Sequence, residues 1–145
     1  MASGTAKRIQ ALRKRTGKSI GEIASLVELG DMAYFDLETY DDELVTVLSL
    51  EQVRRLGDAL GVSTQMLFSD QPTPAEFRSN SYDDLVSLVR AHIVRAGSKE
   101  AVENALGWEL DAFLESEATA LSSYSAEFLQ ALCAHVGVDW MTALP

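Results

Sequence analysis

The sequence predicts an all-α protein built as a tandem pair of small units of five helices each. Three observations predict this. Apolar residues recur at three- and four-residue intervals along most of the chain, the period of a helix with one buried face. Capping boxes at Ser19 to Glu22 and Ser49 to Gln52 mark helix starts, the serine accepting from a free amide while the Glu or Gln reaches back. The order of elements also returns. Leu60-Gly61-Val62-Ser63 reappears as Val136-Gly137-Val138-Asp139, 76 positions later, and Ile23 and Val27 reappear as Val102 and Leu106, 79 positions later. The difference falls in the loop before the fourth helix, where a change of length is tolerated.

In the first unit, residues 6–70, a basic helix runs through Ile9 and Leu12 to Thr16-Gly17. The second follows Ser19, with Ile20, Ile23, Ala24 and Val27 on one face. After Leu29-Gly30 a third helix is expected to bury Ala33, Tyr34 and Leu37. The fourth places Leu50, Val53, Leu56 and Leu60 together and ends at Gly61. Ser63 is expected to cap a short fifth helix through Met66, Leu67 and Phe68. Gln71-Pro72-Thr73-Pro74 then breaks the pattern, because two prolines so close forbid a continuous helix, and 71–81 reads as a linker.

The second unit, 82–145, opens with a helix carrying Leu85, Leu88, Val89, His92 and Ile93, with Asp83 and Asp84 in its first turn. Ser98 caps the next, with Ala101, Val102, Ala105 and Leu106 expected inside. Trp108, a helix with Ala112 and Phe113, and a serine-rich loop at 122–125 come next. A fourth helix carries Phe128, Leu129, Leu132 and Val136, and Trp140, Met141 and Leu144 close the chain.

The 145 residues leave room for two domains of about 60–70 residues each. The net charge of −10 is unevenly spread. Residues 1–18 hold Lys7, Arg8, Arg13, Lys14, Arg15 and Lys18 and no acid, while the other six bases face all 22 acids. A polyanion is repelled by most of such a surface. Without a signal-peptide pattern or a run of about 18 apolar residues, a soluble cytoplasmic protein is the expectation.

The string Ile9 to Gly17, then Ser19 to Val27, Leu29 to Glu38 and Leu56 to Val62 resembles the XRE family of helix-turn-helix domains, the fold of the lambda and 434 repressors and Cro. The second unit resembles a more diverged copy, with Ala105-Leu106-Gly107-Trp108 at the turn and Phe113 and Glu117 beyond it. The resemblance implies that the third helix of each unit lies in the DNA major groove. The residues argue otherwise. Gly30 to Glu43 holds six acids and no base, and Ile20 stands where the family usually places Gln. In the second unit Glu109, Asp111, Glu115 and Glu117 again come without a base. An acidic helix between phosphate backbones loses counterion release and adds repulsion.

Protein is therefore the preferred ligand, through a face of Asp31, Met32, Phe35 and Asp36 with Tyr40 in one unit, and Leu110, Asp111, Leu114 and Glu115 in the other. Apolar residues ringed by acids suit a partner with a basic surface. Packing of the two units into an internal pseudo-dimer explains the same residues. The alternative is a DNA-binding transcriptional regulator that touches phosphates through Lys7, Arg8, Arg13, Lys14, Arg15 and Lys18.

Enzyme chemistry is not expected, and no cofactor, metal or membrane is called for. His92 and His135 lie on apolar helical stretches. Cys133 and His135 are two residues apart, on different sides of a helix, and no other cysteine exists for a zinc site. Asp41-Asp42-Glu43 lacks the spaced ligands of a calcium loop and reads as a solvated loop. Trp108 and Trp140 read as packing residues.

Overall fold

A computed structural model describes residues 4–68 and 81–145. The linker expectation for 71–80 lies outside them; its last residue, Ser81, caps a helix instead. The described chain is mostly helical. It contains α1 (Thr5–Thr16), α2 (Ile20–Val27), α3 (Asp31–Leu37), α4 (Glu43–Thr46), α5 (Leu50–Leu60), α6 (Gln65–Phe68), α7 (Tyr82–Ala96), α8 (Lys99–Leu106), α9 (Asp111–Glu115), α10 (Glu117–Ser123), α11 (Ala126–Val136) and a 3-10 turn at Trp140–Ala143. Among these residues no helix is long and apolar enough to cross a membrane.

Local chemistry sets most boundaries. Ser19 accepts from the Glu22 amide at 3.1 Å, and Glu22 returns a bond to the Ser19 amide at 2.9 Å. Ser49 and Gln52 do the same for α5. Ser81 and Asp84 close a third box on α7, in which Asp84 does more than face the helix dipole. Ser98 caps α8 through the Ala101 amide. The α5 and α11 helices end alike, at Gly61 and Gly137, whose φ of 73° and 82° suit a residue without Cβ.

Two apolar clusters form. Ile9 and Leu12 of α1, Ile23 and Val27 of α2, Tyr34 and Leu37 of α3, and Val53, Leu56 and Leu60 of α5 make the first. Leu85, Val89, Val102, Leu106, Phe113 and the inner face of α11 make the second, and Leu50 of α5 reaches across to join it. The halves meet where the Leu50 amide donates to the Tyr124 carbonyl at 2.8 Å, beside an isolated antiparallel bridge between Ser49 and Ser125. Gln65 Nε2 donates to the Met141 carbonyl at 3.2 Å, and Thr64 Oγ1 to that of Pro145 at 2.7 Å. Phe68 packs edge-on against Trp140, ring centres 4.9 Å apart.

Several expectations are corrected. The acidic loop before α5 contains α4, so the described residues of the first half form six helices. Leu44 and Leu48, one helical turn apart, are both buried there, and Thr46 N bonds the Asp42 carbonyl. The serine-rich stretch 122–125 is helical through Ser123, because Ser116 caps α10 and Ala120 is buried under it. Helix α6 begins at Gln65 rather than directly after Ser63. Ala33, Ala101 and Ala105 are exposed, since the larger neighbours Tyr34, Val102 and Leu106 take the inward positions.

Gly57 lies buried in α5, where a Cβ would sit 3.0 Å from the Val62 carbonyl oxygen. Gly57→Ala is therefore expected to lower unfolding stability by about 1–3 kcal/mol despite alanine's better helix propensity. Urea denaturation checks this; a stabilised variant contradicts it.

Candidate interaction site

Helix α3 separates its residues by face. Tyr34 and Leu37, three apart, point inward and are fully buried. Met32 and Phe35, also three apart, point outward at 75% and 48% exposure. Asp31 is exposed beside Met32 and Asp36 is half-buried beside Phe35, so this expected face is assembled. Tyr40 follows at 55% exposure.

The matching face in the second half is not. Leu110 is completely buried, contrary to its expected place on a partner surface. It precedes α9 rather than standing on its outer side, and α9 is only five residues long. Glu103 accepts from the Leu110 amide at 2.6 Å, and the Tyr124 hydroxyl donates to the Glu109 carbonyl at 2.7 Å while accepting from the Phe113 amide at 3.1 Å. These bonds hold the segment against the core. Leu114 is half-buried and packs on the same cluster. Asp111 and Glu115 are exposed, but Asp111 forms an ion pair with Lys99.

The basic residues of α1 also divide. Lys7, Lys14, Arg15 and Lys18 are exposed. Arg8 donates to the Leu67 carbonyl at 3.1 Å, which ties α1 to α6. Arg13 forms a two-pronged pair with Glu38, Nε to Oε2 at 2.6 Å and Nη2 to Oε1 at 3.0 Å. Their side chains are 13% and 3% exposed. The Glu38 hydrogen bond raises the Arg13 pKa further above its already high value. Burial, reinforced by Glu38, pushes the adjacent Tyr34 phenol far above its usual range. Asp41 accepts from the Ala6 amide at 2.9 Å and the Gly4 amide at 3.3 Å, supplying α1 with the cap that Gly4 lacks. Two of the six acids in the 30–43 stretch are thus structural, and two of the six N-terminal bases are held by the fold.

Exposed Leu26 and Val47 escaped the sequence reading. Leu26 lies off the helical face formed by Ile23 and Val27, and that period is the signal that singles it out. Elsewhere His92 and His135 face each other with ring centres 5.4 Å apart, and His92 Nδ1 lies 3.1 Å from the Leu88 carbonyl. Among the described residues no group of three or more His, Cys, Asp or Glu is placed to hold a metal. Comparison with known proteins gives no match: no family model, curated protein or solved structure matches this chain.

Removing one partner of the Arg13–Glu38 pair leaves the other buried and uncompensated. Glu38→Ala is expected to reduce stability by about 3–5 kcal/mol, whereas Lys14→Ala stays within about 0.5 kcal/mol; equal effects in denaturant titration contradict this assignment. Burial, with Asp139 nearby, pushes the Cys133 thiol up to about 12. The folded protein keeps this proton after the unfolded thiol, at about 8.5, begins to lose it, so this group's contribution to stability falls as pH rises above that value. A disulfide reagent at pH 8 should leave Cys133 unmodified in the native protein and react with it after denaturation; rapid native labelling contradicts the buried placement.

Proposed function

We propose that the chain is a tandem pair of degenerate, repressor-like helix-turn-helix domains. In this reading it is a non-enzymatic regulator that binds a protein carrying a basic surface. The exposed pair Met32 and Phe35, set between Asp31 and Asp36 on a helix without a base, carries the reading. Apolar side chains supply contact area, while the carboxylates select a cationic rim and repel nucleic acid. Self-docking of two such faces around a two-fold axis would bring like charges together, so a different partner fits better. A protein whose own nucleic-acid site supplies the basic rim has the required chemistry.

The tandem reading draws support from paired dimensions. Helices α2 and α8 each have eight residues, and α5 and α11 each have eleven. The contacts Ser49 to Ser125 and Gln65 to Met141 both join positions 76 residues apart. Contact between equivalent residues is the signature of an approximate two-fold axis, as in a symmetric dimer joined into one chain. The second half contributes its side of this junction, and with Leu110 buried the binding role falls to α3.

A DNA-binding reading retains one specific support, the four exposed cations Lys7, Lys14, Arg15 and Lys18. Lys14 and Arg15 are the residues through which it is testable, since Arg13 holds the fold.

The protein-binding reading is tested by immobilising the chain and measuring retention of partner protein from an extract of the source organism. Asp31→Lys with Asp36→Lys, or Met32→Ser with Phe35→Ser, is expected to lower retention about tenfold or more with little change in melting temperature. Undiminished retention by both double variants contradicts the assignment.

A further inference from the structure

A second surface, separate from α3, crosses both halves. A hollow of about 670 Å³ lies along the outer side of α2, lined by Lys18, Ser19, Glu22 and Ser25. Leu26 borders it and also borders a hollow of about 420 Å³ beside Arg55, Asp58 and Ala59 of α5. Glu28 and Arg55 belong both to that hollow and to a cleft of about 670 Å³ at the junction, where Val47, Gln52, Trp108 and Ser122 come together. Trp108 in turn borders a hollow of about 380 Å³ with Asn104 and Glu109. Neighbouring hollows share lining residues, so they lie in series, a discontinuous trough from the α1–α2 turn to the end of α8.

Its chemistry repeats along its length. Leu26 is 51% exposed and Val47 58%, and half-buried Trp108 is held edge-on against Phe128 with ring centres 5.7 Å apart. Ser25, Gln52, Asn104 and Ser122 also line the trough, side chains of the kind that donate and accept hydrogen bonds, with Gln52 already accepting from the Ser49 amide and Ser122 donating to the Thr119 carbonyl. Carboxylates outnumber cations. Glu22, Asp58, Glu100 and Glu109 line the trough, Arg55 is engaged by Glu28 and Glu51, and Lys18 stands at the α2 end as the other lining cation. Glu28 has a φ of 63°, and among the described residues no other non-glycine residue has a positive φ. Gly107 occupies the matching end of α8 with a φ of 92°. A carboxylate is thus kept where the backbone favours glycine.

We propose that this trough binds an extended basic segment of a partner protein. Apolar side chains of the segment seat at Leu26, Val47 and Trp108, and its Lys or Arg side chains face the carboxylates. A polyanion is excluded by the same charges. A second copy of this chain is a poor occupant, since its basic segment is folded as α1 with Ile9 and Leu12 buried. The site does not depend on the role assigned to α3.

The test is fluorescence anisotropy with two labelled synthetic peptide pools of about nine residues, roughly 30 Å when extended. One has Lys or Arg interspersed with Leu and Val; the other has Glu in place of the bases. Saturable binding of the basic pool is expected, weakened about tenfold by Leu26→Ser with Val47→Ser and again by Asp58→Lys with Glu109→Lys. Val94→Ser, at an exposed position of α7 outside the trough, leaves it unchanged, and Met32→Ser with Phe35→Ser is measured beside it as the α3 variant. Equal binding of the acidic pool, no binding of either pool, or insensitivity to the trough variants overturns the proposal. Loss only in the α3 variant also overturns it while leaving the α3 reading intact. Should the Leu26 and Val47 variant fail to fold, the reversals at exposed Asp58 and Glu109 decide the matter.

Discussion

The buried pair between Arg13 and Glu38 is the interaction on which the first half depends. Each charge is withdrawn from water, and the two short bonds between the guanidinium and carboxylate compensate that loss. The pair fixes the last turns of α1 to the residue that ends α3. Asp41, three positions further on, holds the first turn of α1. One short segment after α3 therefore grips both ends of the basic helix. The same grip orients α3, so that Tyr34 and Leu37 face the core and Met32 and Phe35 face outward.

This arrangement changes the meaning of the charge pattern. A run of six acids beside a basic helix suggests two opposed binding surfaces. The fold pairs Glu38 with Arg13, commits Asp41 to the Gly4 and Ala6 amides, and ties Arg8 to the Leu67 carbonyl. What remains on α3 is compact: two carboxylates framing two apolar side chains. The second half follows a different course at the corresponding place. There Glu103 and Tyr124 draw Leu110 inward, and Lys99 takes up Asp111. The two halves thus differ in what they expose. Their junction, where Leu50 enters the second core, also brings Val47 and Trp108 to one cleft and so creates a surface that neither half has alone.

Much of the framework was legible because its signals are local. Ser19, Ser49 and Ser98 announce helix starts within three residues, and Gly61 and Gly137 mark ends through their own backbone geometry. The period of Ile23, Val27, Val53 and Leu56 identifies an inner face without reference to distant residues. The candidate site was legible in part for the same reason, since Met32 and Phe35 stand opposite Tyr34 and Leu37 on one helix. What was hidden depends on long-range partners. Arg13 finds Glu38 across 25 positions and Ala6 finds Asp41 across 35, and no spacing rule announces either. Leu110 was misplaced because its burial depends on how short α9 is and on a hydroxyl from Tyr124. Helix α4 was hidden because its acidic start reads as loop, and only the paired burial of Leu44 and Leu48 gives it away.

The central claim is that a repressor-like framework here presents an acidic, apolar face to protein and not to DNA. The most direct measurement is anisotropy of a labelled mixed-sequence duplex titrated with the intact chain, first at low salt and then near physiological ionic strength. The account predicts at most weak binding at low salt, through Lys14 and its exposed neighbours, and its disappearance at higher salt as phosphate contacts are screened. Saturable binding that survives physiological salt would contradict it and return the basic first helix to the centre of the protein's function.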